Sequence, residues 1–312
     1  MRTTRLTAAL PLNIPPLSVI ALGTAEFGSR IPEADAFTLL DAYADGGGTV
    51  LDTANCYAEW LPDGEGRSEL TIGKWLRTRP SSHMVISTKG GHPRLSTMNL
   101  SRMRPSDLDY DLTQSLARLQ VDRVGLFWLH RDDESIPVGE LIDWLERQRR
   151  AGSIAAYGAS NWTTARLDAA AVYARTNHCA GFCADQPGWS LAERRSDVPT
   201  VPGCSYGDDA LLTWHKRTGL GTMAYTSQAR GWFTKDVADY DTPANRERRN
   251  RAHQLAQELG TTANRVALAW LTNQTFPGIA IVGPHRADQL NDCLGAGDVV
   301  LSPAQVTWLD LG

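Results

Sequence analysis

The sequence predicts an α/β fold, a (β/α)₈ TIM barrel with extended loops on its top face, from the order and the character of its apolar segments. Short apolar runs alternate with longer amphipathic stretches eight times along the 312 residues, which is typical of repeated strand–helix units. Most of these runs are apolar on both faces, as are the strands of a parallel sheet that helices cover. The predicted strands are Ser18–Leu22, Thr49–Asp52, Met84–Thr88, Val124–His130, Ile154–Ser160, Phe182–Gln186, Gly221–Tyr225 and Gly278–Val282.

Two features favour a barrel over a doubly wound sheet. The glycines Gly23 and Gly28 after the first predicted strand lack the Gly-x-Gly-x-x-Gly spacing of a dinucleotide-binding turn. Reactive side chains also stand at the carboxyl ends of several different strands, where the active sites of barrels lie. Because such a barrel takes about 250 residues, we expect residues 1–312 to form one domain, with 1–15 as a tail or a cover over the barrel floor.

Local patterns predict where individual helices lie. Apolar residues at i, i+3, i+4 and i+7 predict a buried helical face, namely Val138, Leu141, Ile142 and Leu145. Ser106 and Asp109 resemble a capping box at the start of another helix. The glycines at 46–48 are a stop signal before the second predicted strand.

Composition and charge argue against several classes of protein. The net charge is −4 with no dominant basic stripe, so we expect no nucleic-acid partner. The five cysteines include no Cys-x-x-Cys pair, which fits a reducing compartment. Prolines interrupt the apolar stretch 6–17, and no apolar run reaches the ~20 residues of a spanning helix. We therefore expect a cytoplasmic protein that uses no membrane; its oligomeric state stays open.

Four residues with reactive side chains stand at or just after the ends of neighbouring predicted strands: Asp52, Tyr57, Lys89 and His130. Each has an ordinary structural alternative when taken alone, respectively a turn cap, surface packing, a solvated charge and a hydrogen-bonded core residue. A barrel brings the ends of its second, third and fourth strands side by side around one mouth. An acid, a base and a phenol that converge there indicate a catalytic site.

The segments around these residues resemble the aldo-keto reductase family. The resemblance rests on residues 51–57, on 64–69 with Gly73, on the Ser-Thr-Lys-Gly and Leu-His elements, and on Tyr157–Asn161, Asp185–Gln186 and Gly283–Leu290. It extends in order from about Gly23 to Ala296, nearly the whole chain.

The resemblance implies NADPH-dependent reduction of a small-molecule aldehyde or ketone by hydride transfer, with no metal. Tyr57 would give its proton to the developing alkoxide, because a phenol with a pKa of about 10 is the stronger acid. Lys89 would favour the phenolate and so improve the donor, and Asp52 would hold Lys89. His130 would orient and polarise the carbonyl group.

The resemblance also implies a set of cofactor contacts. Those before the adenosine end are Gly23, Thr24, Ser160, Asn161, Gln186, Tyr225, Thr226, Ser227, Gln228, Ala229 and Gly231. Ser160, Asn161 and Gln186 match positions that hold the carboxamide. Tyr225 would stack on the nicotinamide, with core packing as the alternative. Backbone amides of the loop from 227 to 231 would approach the pyrophosphate, since small residues permit that approach.

The adenosine end of the cofactor matches Gly283, Arg286, Gln289 and Asp292. The Arg286 guanidinium could grip a 2′-phosphate bidentately, which favours NADPH over NADH; the alternative is an exposed arginine at a helix start. Lys235 and Arg246 are further candidates for this phosphate. Asp292 and Cys293 stand where related proteins often have Glu-Asn, and the loop after Tyr225 also departs from the commoner version.

Aromatic residues in predicted top-face loops form the candidate substrate site: Phe27, Trp60, Trp162, Trp189 and Trp232, together with Phe233. They could wall an apolar carbonyl substrate or close the barrel top by packing, and both interpretations stay open. Residues 131–133, Arg-Asp-Asp, are interpreted as a solvated charge run, with contact to a polar substrate as the alternative. The long segment Pro187–Tyr206 is expected to be functional or disordered.

Three other functions compete with the reductase. A redox-sensing protein that binds the cofactor on the same barrel and turns over slowly is compatible with these motifs. A Schiff-base aldolase would use Lys89 as its nucleophile, but Asp52 would stabilise the ammonium and oppose this. A metallohydrolase is disfavoured because the seven histidines are scattered, with no His-x-His pair.

Overall fold

Eight parallel strands close into a barrel in the computed structural model, which describes residues 1–6, 14–79 and 83–311. The barrel strands are β3 (Ile20–Gly23), β4 (Val50–Asp52), β5 (Val85–Gly90), β6 (Val124–Leu129), β7 (Ile154–Ser160), β8 (Ala184–Gln186), β9 (Gly221–Ala224) and β10 (Gly278–Val282). Each pairs with the next along the chain, and β10 closes the ring against β3. The predicted (β/α)₈ barrel is confirmed.

The predicted strands shift mainly at their ends. The strand predicted at Phe182–Gln186 shortens to its last three residues, and the one predicted to end at His130 ends at Leu129. His130 is therefore the first residue of the loop after β6. β5 runs on to Gly90, which places Lys89 inside the strand, next to its carboxyl end.

Helices pack around the outside of the barrel. In the described part of the chain they are α1 (Glu33–Asp45), α2 (Arg67–Thr78), α3 (Pro105–Leu119), α4 (Val138–Ala151), α5 (Thr164–Thr176), α6 (Asp209–Thr218), α7 (Pro243–Leu259), α8 (Ala263–Thr272), α9 (Ala287–Gly295) and α10 (Pro303–Leu311). As predicted, α1 ends just before the glycines at 46–48, and α4 buries Leu141, Ile142 and Leu145. None of the described helices combines the length and the apolar character that crossing a membrane requires.

The predicted capping box at Ser106 is wrong. Helix α3 begins at Pro105, its N-cap residue is Arg104, and no side chain caps it. Proline is well suited to the first helical position because its φ angle is already helical and it lacks an N–H. Ser106 therefore lies inside the helix rather than at its cap.

The described residues before β3, 1–6 and 14–19, pack beneath the barrel. Strand β1 (Thr3–Thr4) pairs antiparallel with β2 (Leu17–Ser18). Leu6 is fully buried, and its backbone passes so close to Gly221, at the start of β9, that a Cβ there would lie 2.7 Å from the Leu6 carbonyl oxygen. Of the predicted floor cover at 1–15, residues 7–13 lie outside the described residues.

A long loop from β8 to α6 crosses the opposite end of the barrel. It contains the predicted segment Pro187–Tyr206 and is held by backbone hydrogen bonds from Gly188 to Ser205 and from Gly207 back to Gly188, of 3.0 and 2.7 Å. The Trp189 N–H also donates to the Tyr225 carbonyl at 3.0 Å. The loop is thus tied to the strand end that follows β9, beside the mouth of the barrel.

Candidate active site

A lysine, an aspartate and a tyrosine meet at the mouth of the barrel. Lys89 Nζ lies 2.6 Å from Asp52 Oδ2 and 3.1 Å from Tyr57 Oη. It donates a third hydrogen bond, of 2.7 Å, to the Thr53 carbonyl. Strands β4 and β5 are paired neighbours, which brings their carboxyl-end side chains together. All three N–H donors of the ammonium are used, so Lys89 is fixed between the carboxylate and the phenol.

The second carboxylate oxygen of Asp52 is held just as firmly. Oδ1 accepts hydrogen bonds from the Ser87 hydroxyl at 2.8 Å and from Gln186 Nε2 at 3.1 Å. Trp128 Nε1 donates to the same hydroxyl at 2.7 Å, which orients its proton toward Asp52. Because donors surround both oxygens, the buried carboxylate is fixed in place beside the Lys89 ammonium.

Burial and charge act in opposite directions on the base and the phenol. Burial alone would lower the pKa of Lys89, but the Asp52 carboxylate and Tyr57 outweigh it, and the pKa of Lys89 is raised. Burial also raises the pKa of Tyr57 above its ordinary 10.0, and the nearby ammonium offsets this in part. The expected lowering by Lys89 is therefore present but smaller than the effect of burial, and Tyr57 keeps its proton at neutral pH.

His130 stands beside the tyrosine with an uncharged ring. The His130 and Tyr57 rings are edge to face with centroids 6.1 Å apart, and His130 Nδ1 lies 3.7 Å from Cys56 Sγ. Burial lowers the pKa of His130 well below 6.5, and the positive charge of Arg131 lowers it further. The ring is therefore neutral at physiological pH and has one N–H to donate.

His92 is a residue of this cluster that the motifs do not single out. Its ring lies 4.8 Å from that of His130, and its Nε2 lies 3.0 Å from the guanidinium of Arg131. The available signal is its place just beyond β5, three residues after Lys89. The ligand atoms of Cys56, His92 and His130 lie within 4.8 Å of one another. Arg131 puts a positive charge beside this trio, which opposes a metal cation there.

The predicted solvated charge run at 131–133 is wrong for its first two residues. Arg131 is only 8% exposed. Asp132 is largely buried in an ion pair with Arg166, of 2.8 Å. Trp162 Nε1 donates to the Arg131 carbonyl at 3.1 Å, so the loop after β6 is pinned against the protein.

A groove of about 730 Å³ opens over the tyrosine. Asp52 and Tyr57 line one part of it, and Gln289 and Asp292 of α9 line another. The predicted cofactor residues that line the groove are Gly23, Thr24, Tyr225, Thr226, Ser227, Gln228, Gly231, Lys235, Gly283, Gln289 and Asp292. The structure thus gathers residues from the ends of β3, β9 and β10 and from α9 into one cleft, which also contains the unpredicted Glu26 and Arg30.

A family of known proteins matches most of the chain. The profile of the aldo/keto reductase family matches residues 19–310. The chain belongs to the aldo/keto reductase family. The predicted resemblance to this family is therefore confirmed.

Individual relatives are distant but cover most of the chain. An uncharacterized oxidoreductase of Bacillus subtilis, YrpG, is 30% identical over 294 residues, 91% of this chain and 89% of the relative. Norsolorinic acid reductase stcV of Emericella nidulans is 26% identical over 93% of this chain and 76% of its own. A crystal structure of an aldo/keto reductase from Klebsiella pneumoniae in complex with NADP and acetate has a TM-score of 0.70 and 25% identity, and the match covers 95% of this chain and 91% of that one.

The loop after β9 in this aldo/keto reductase has an unusual backbone. Thr226, Ala229 and Arg230 all have positive φ angles, which non-glycine residues rarely adopt. The amides of Ala229 and Gly231 donate within the loop, to the carbonyls at 226 and 228, each at 2.8 Å. These two amides are therefore used by the turn itself, contrary to the expectation that they face a pyrophosphate.

Other members of the predicted cofactor set hold one another. Ser160 Oγ donates to the Gln186 carbonyl at 2.7 Å. Asn161 Nδ2 donates to the His130 carbonyl at 3.1 Å, and its Oδ1 accepts from Tyr225 Oη at 2.7 Å. By contrast, Gln186 Oε1 is buried without a hydrogen-bond partner among the described residues. This oxygen is an unsatisfied acceptor beside Asp52, and Oε2 of Glu26 in the groove lining is another among the described residues.

The arginines predicted at the adenosine end lie outside the groove lining. Arg286 is exposed and pairs with Asp288 at 2.8 Å. Arg246 of α7 pairs with Asp241, which precedes the helix, likewise at the surface. Asp292 lines the groove, but its carboxylate already accepts from Thr262 and Asn264 at 2.8 and 2.7 Å. Lys235 is the predicted cation that does line the groove.

Most of the predicted substrate aromatics pack inside the protein. Phe27, Trp162, Trp189, Trp232 and Phe233 are all at most 6% exposed, whereas Trp60 is 47% exposed. Trp189 stacks on Phe276 with centroids 6.0 Å apart. Of the two interpretations left open by the sequence, closure of the barrel top by packing is favoured for the buried rings, and Trp60 stays free to contact a substrate.

Proposed function

We propose that the protein reduces an aldehyde or ketone to an alcohol by NADPH-dependent hydride transfer, with Tyr57 as the proton donor. The observation that carries this proposal is the position of Lys89 Nζ, which joins Asp52 to Tyr57. Both partners of the ammonium line the groove. A protonated, partly exposed phenol with a fixed cation behind it is suited to give its proton to a group in that groove.

In the proposed reaction, NADPH held in the groove would supply the hydride that the carbonyl carbon takes up. The carbonyl oxygen takes the proton of Tyr57 Oη, because an alkoxide is more basic than a phenolate. The Lys89 ammonium stabilises the phenolate that remains, at a distance of 3.1 Å. Asp52 keeps that ammonium charged and in position.

His130 is suited to hold the carbonyl oxygen during this step. Burial raises the pKa of the Cys56 thiol to about 12, so the thiol keeps its proton and its S–H faces His130 Nδ1. Since a ring nitrogen is a better acceptor than a thiol, we assign the imidazole proton to Nε2. That N–H can donate to the substrate oxygen and polarise the carbonyl group.

Groups in and beside the groove fit an extended nicotinamide dinucleotide. The unpartnered Oε1 of Gln186 offers an acceptor for a carboxamide N–H. The amides of Ser227 and Gln228 have no acceptor in the part of the chain that the structure describes, and they can donate to a pyrophosphate. Lys235 in the lining favours the additional phosphate of NADPH. NADP in the Klebsiella relative supports the same assignment.

The decisive experiment removes one oxygen. We expect Tyr57→Phe to keep NADPH affinity and to lose about 10²–10⁴-fold in kcat/KM for an aromatic aldehyde, measured by NADPH oxidation. Tyr110→Phe, at an exposed tyrosine of α3, is the matched control and should behave as wild type. Turnover of Tyr57→Phe within about threefold of wild type would contradict the proposed role.

Cofactor choice is tested by titration of the same proteins. NADPH should bind more tightly than NADH. Lys235→Met should reduce this difference in affinity because it removes a cation from the groove lining. Arg286→Met tests whether the Asp288-paired guanidinium turns to the phosphate. Equal affinities for the two cofactors in the wild type would refute the preference.

A further inference from the structure

Arg131 is a buried cation for which the described residues provide no anionic partner. Its side chain lies just beyond β6 and is 8% exposed. Across residues 1–6, 14–79 and 83–311, no carboxylate oxygen lies within 4.0 Å of its guanidinium. Most buried charges in proteins are paired, because removal of a charge from water is costly. Arg131 therefore differs from the neighbouring Arg166, which has Asp132.

The guanidinium also has unused donors. Nη1 donates to the His130 carbonyl and Nη2 to His92 Nε2, each at 3.0 Å. Because a guanidinium cannot accept a hydrogen bond, His92 carries its proton on Nδ1, which donates to the Pro93 carbonyl at 2.6 Å. Nε of Arg131 has no hydrogen-bond partner in the described part of the chain. About three of the five N–H groups thus stay available.

The surrounding groups leave this charge uncompensated. Lys89 and Asp52 neutralise each other in their 2.6 Å ion pair. Burial, and then the charge of Arg131, lower the pKa of His92 to about 4, so His92 is neutral at physiological pH. His130 is neutral for the same two reasons. The group formed by His92, His130 and Arg131 consequently carries one net positive charge.

A series of side-chain contacts connects the Arg131 charge to Tyr57, the proposed proton donor. The Arg131 guanidinium contacts His92, His92 lies against His130, and His130 lies against Tyr57. Gly203 of the β8–α6 loop passes over it with φ +72°, and a Cβ at Gly203 would lie 3.0 Å from Arg131 Cδ. A glycine here lets the loop adopt this turn and leaves room beside the guanidinium.

We propose that Arg131 binds a carboxylate of the substrate, so that the protein acts preferentially on oxo acids and acid semialdehydes rather than on neutral carbonyl compounds. The inference rests on the proposed function, since it places the carbonyl oxygen of the same molecule at Tyr57 and His130. A planar carboxylate can take two parallel N–H groups from a guanidinium, which provides orientation as well as affinity.

A matched pair of aldehydes tests the preference in the wild-type protein. We compare kcat/KM for 4-formylbenzoate and for its methyl ester, which keeps the ring and the carbonyl but lacks the charge. The acid should be favoured by at least about tenfold, mainly through KM. Glyceraldehyde 3-phosphate is the third arm. A preference for the phosphate over both benzaldehydes would overturn the carboxylate assignment, as would equal values for acid and ester.

Variants then assign the preference to a residue. Arg131→Met should reduce the acid-to-ester ratio by about 10- to 100-fold, and Arg131→Lys should restore part of it. Arg217→Met, which removes an exposed guanidinium on α6, should leave the ratio unchanged. A wild-type ratio in Arg131→Met would overturn the proposal even if that variant were slower on both aldehydes.

The two proposals fail in different ways. If the ester is reduced and the acid is not preferred, the proposed reductase function stands and the anion site is rejected. If neither aldehyde is reduced, the proposed function fails, and calorimetric titration with terephthalate still tests Arg131. Binding by the wild type that Arg131→Met abolishes would support the anion site, and absence of binding by the wild type would reject it.

Discussion

Asp52 and Asp185 make a useful comparison, because they share burial and position yet have different surroundings. Each stands at or next to the carboxyl end of a barrel strand and is at most 3% exposed. Each lies close to a basic side chain, Asp52 Oδ2 at 2.6 Å from Lys89 Nζ and Asp185 Oδ1 at 3.0 Å from His215 Nε2. Asp52 lines the groove, whereas Asp185 faces α6.

Aromatic rings enclose the second pair. The His215 ring stacks on Phe276 and Trp189, with centroids 4.8 and 5.9 Å away, and meets Trp214 edge on. His215 Nδ1 is 2.8 Å from the Leu220 carbonyl. This site is a contact between strand and helix with no side open to the groove. The difference shows that a buried acid–base pair becomes a candidate for catalysis when a third reactive group, here Tyr57, and an open groove lie beside it.

The alternation of side chains along a strand explains why Asp185 and its neighbour Gln186 point in opposite directions. Successive side chains of a strand point to opposite faces. In β8, Gln186 points into the barrel and reaches Asp52 at 3.1 Å, so Asp185 must point outward to the helix layer. A shift of one residue in β8 would exchange these roles.

Replacement of Lys89 at the barrel mouth should give the largest loss of activity. We expect Lys89→Met to lower kcat/KM for aldehyde reduction by about 10²–10⁴-fold, because the phenolate loses its cation and Asp52 is left as a buried, unpaired carboxylate. Lys74→Met, at an exposed lysine paired with Glu33, is the control. Retained activity in Lys89→Met would show that the Asp52–Lys89 pair, like the Asp185–His215 pair, is not needed for the reaction.

Disruption of the enclosed pair should affect stability instead. We expect Asp185→Asn to lower the free energy of unfolding by about 1–3 kcal/mol in urea titrations, since a buried polar contact is lost. The folded fraction should reduce aldehydes at a rate within about twofold of wild type. Asp122→Asn, at an exposed residue between α3 and β6, is the control and should change neither quantity. Loss of activity at full stability would indicate that Asp185 acts on the reaction.

The smallest effect concerns pH. Burial alone would lower the pKa of His215, but Asp185 outweighs it and the folded-state pKa is raised above 6.5. The stabilising contribution is thus complete below the unfolded-state value and is lost as the pH rises through the folded-state pKa. The difference in unfolding free energy between wild type and Asp185→Asn should therefore be larger at about pH 6 than at about pH 9. A difference that grows with pH would reverse the assigned direction.

Much of the site was predictable because its signals are local. Asp52, Lys89 and His130 stand at strand ends, and in a closed parallel barrel neighbouring strand ends meet at one rim. His92 and Arg131 were missed or misread because neither forms a motif. Their contact joins residues 39 positions apart, and the burial of Arg131 depends on a loop that comes from β8.

The sequence by itself determined the eightfold strand–helix alternation, the membership in the aldo/keto reductase family and the placement of the reactive residues along the strands. Those features follow from periodicity and from motifs within a few residues of one another. Only the tertiary structure decided which carboxylate meets which cation, which donors stay free and which charge stays unpaired. Each of these depends on distances between side chains that lie far apart along the chain.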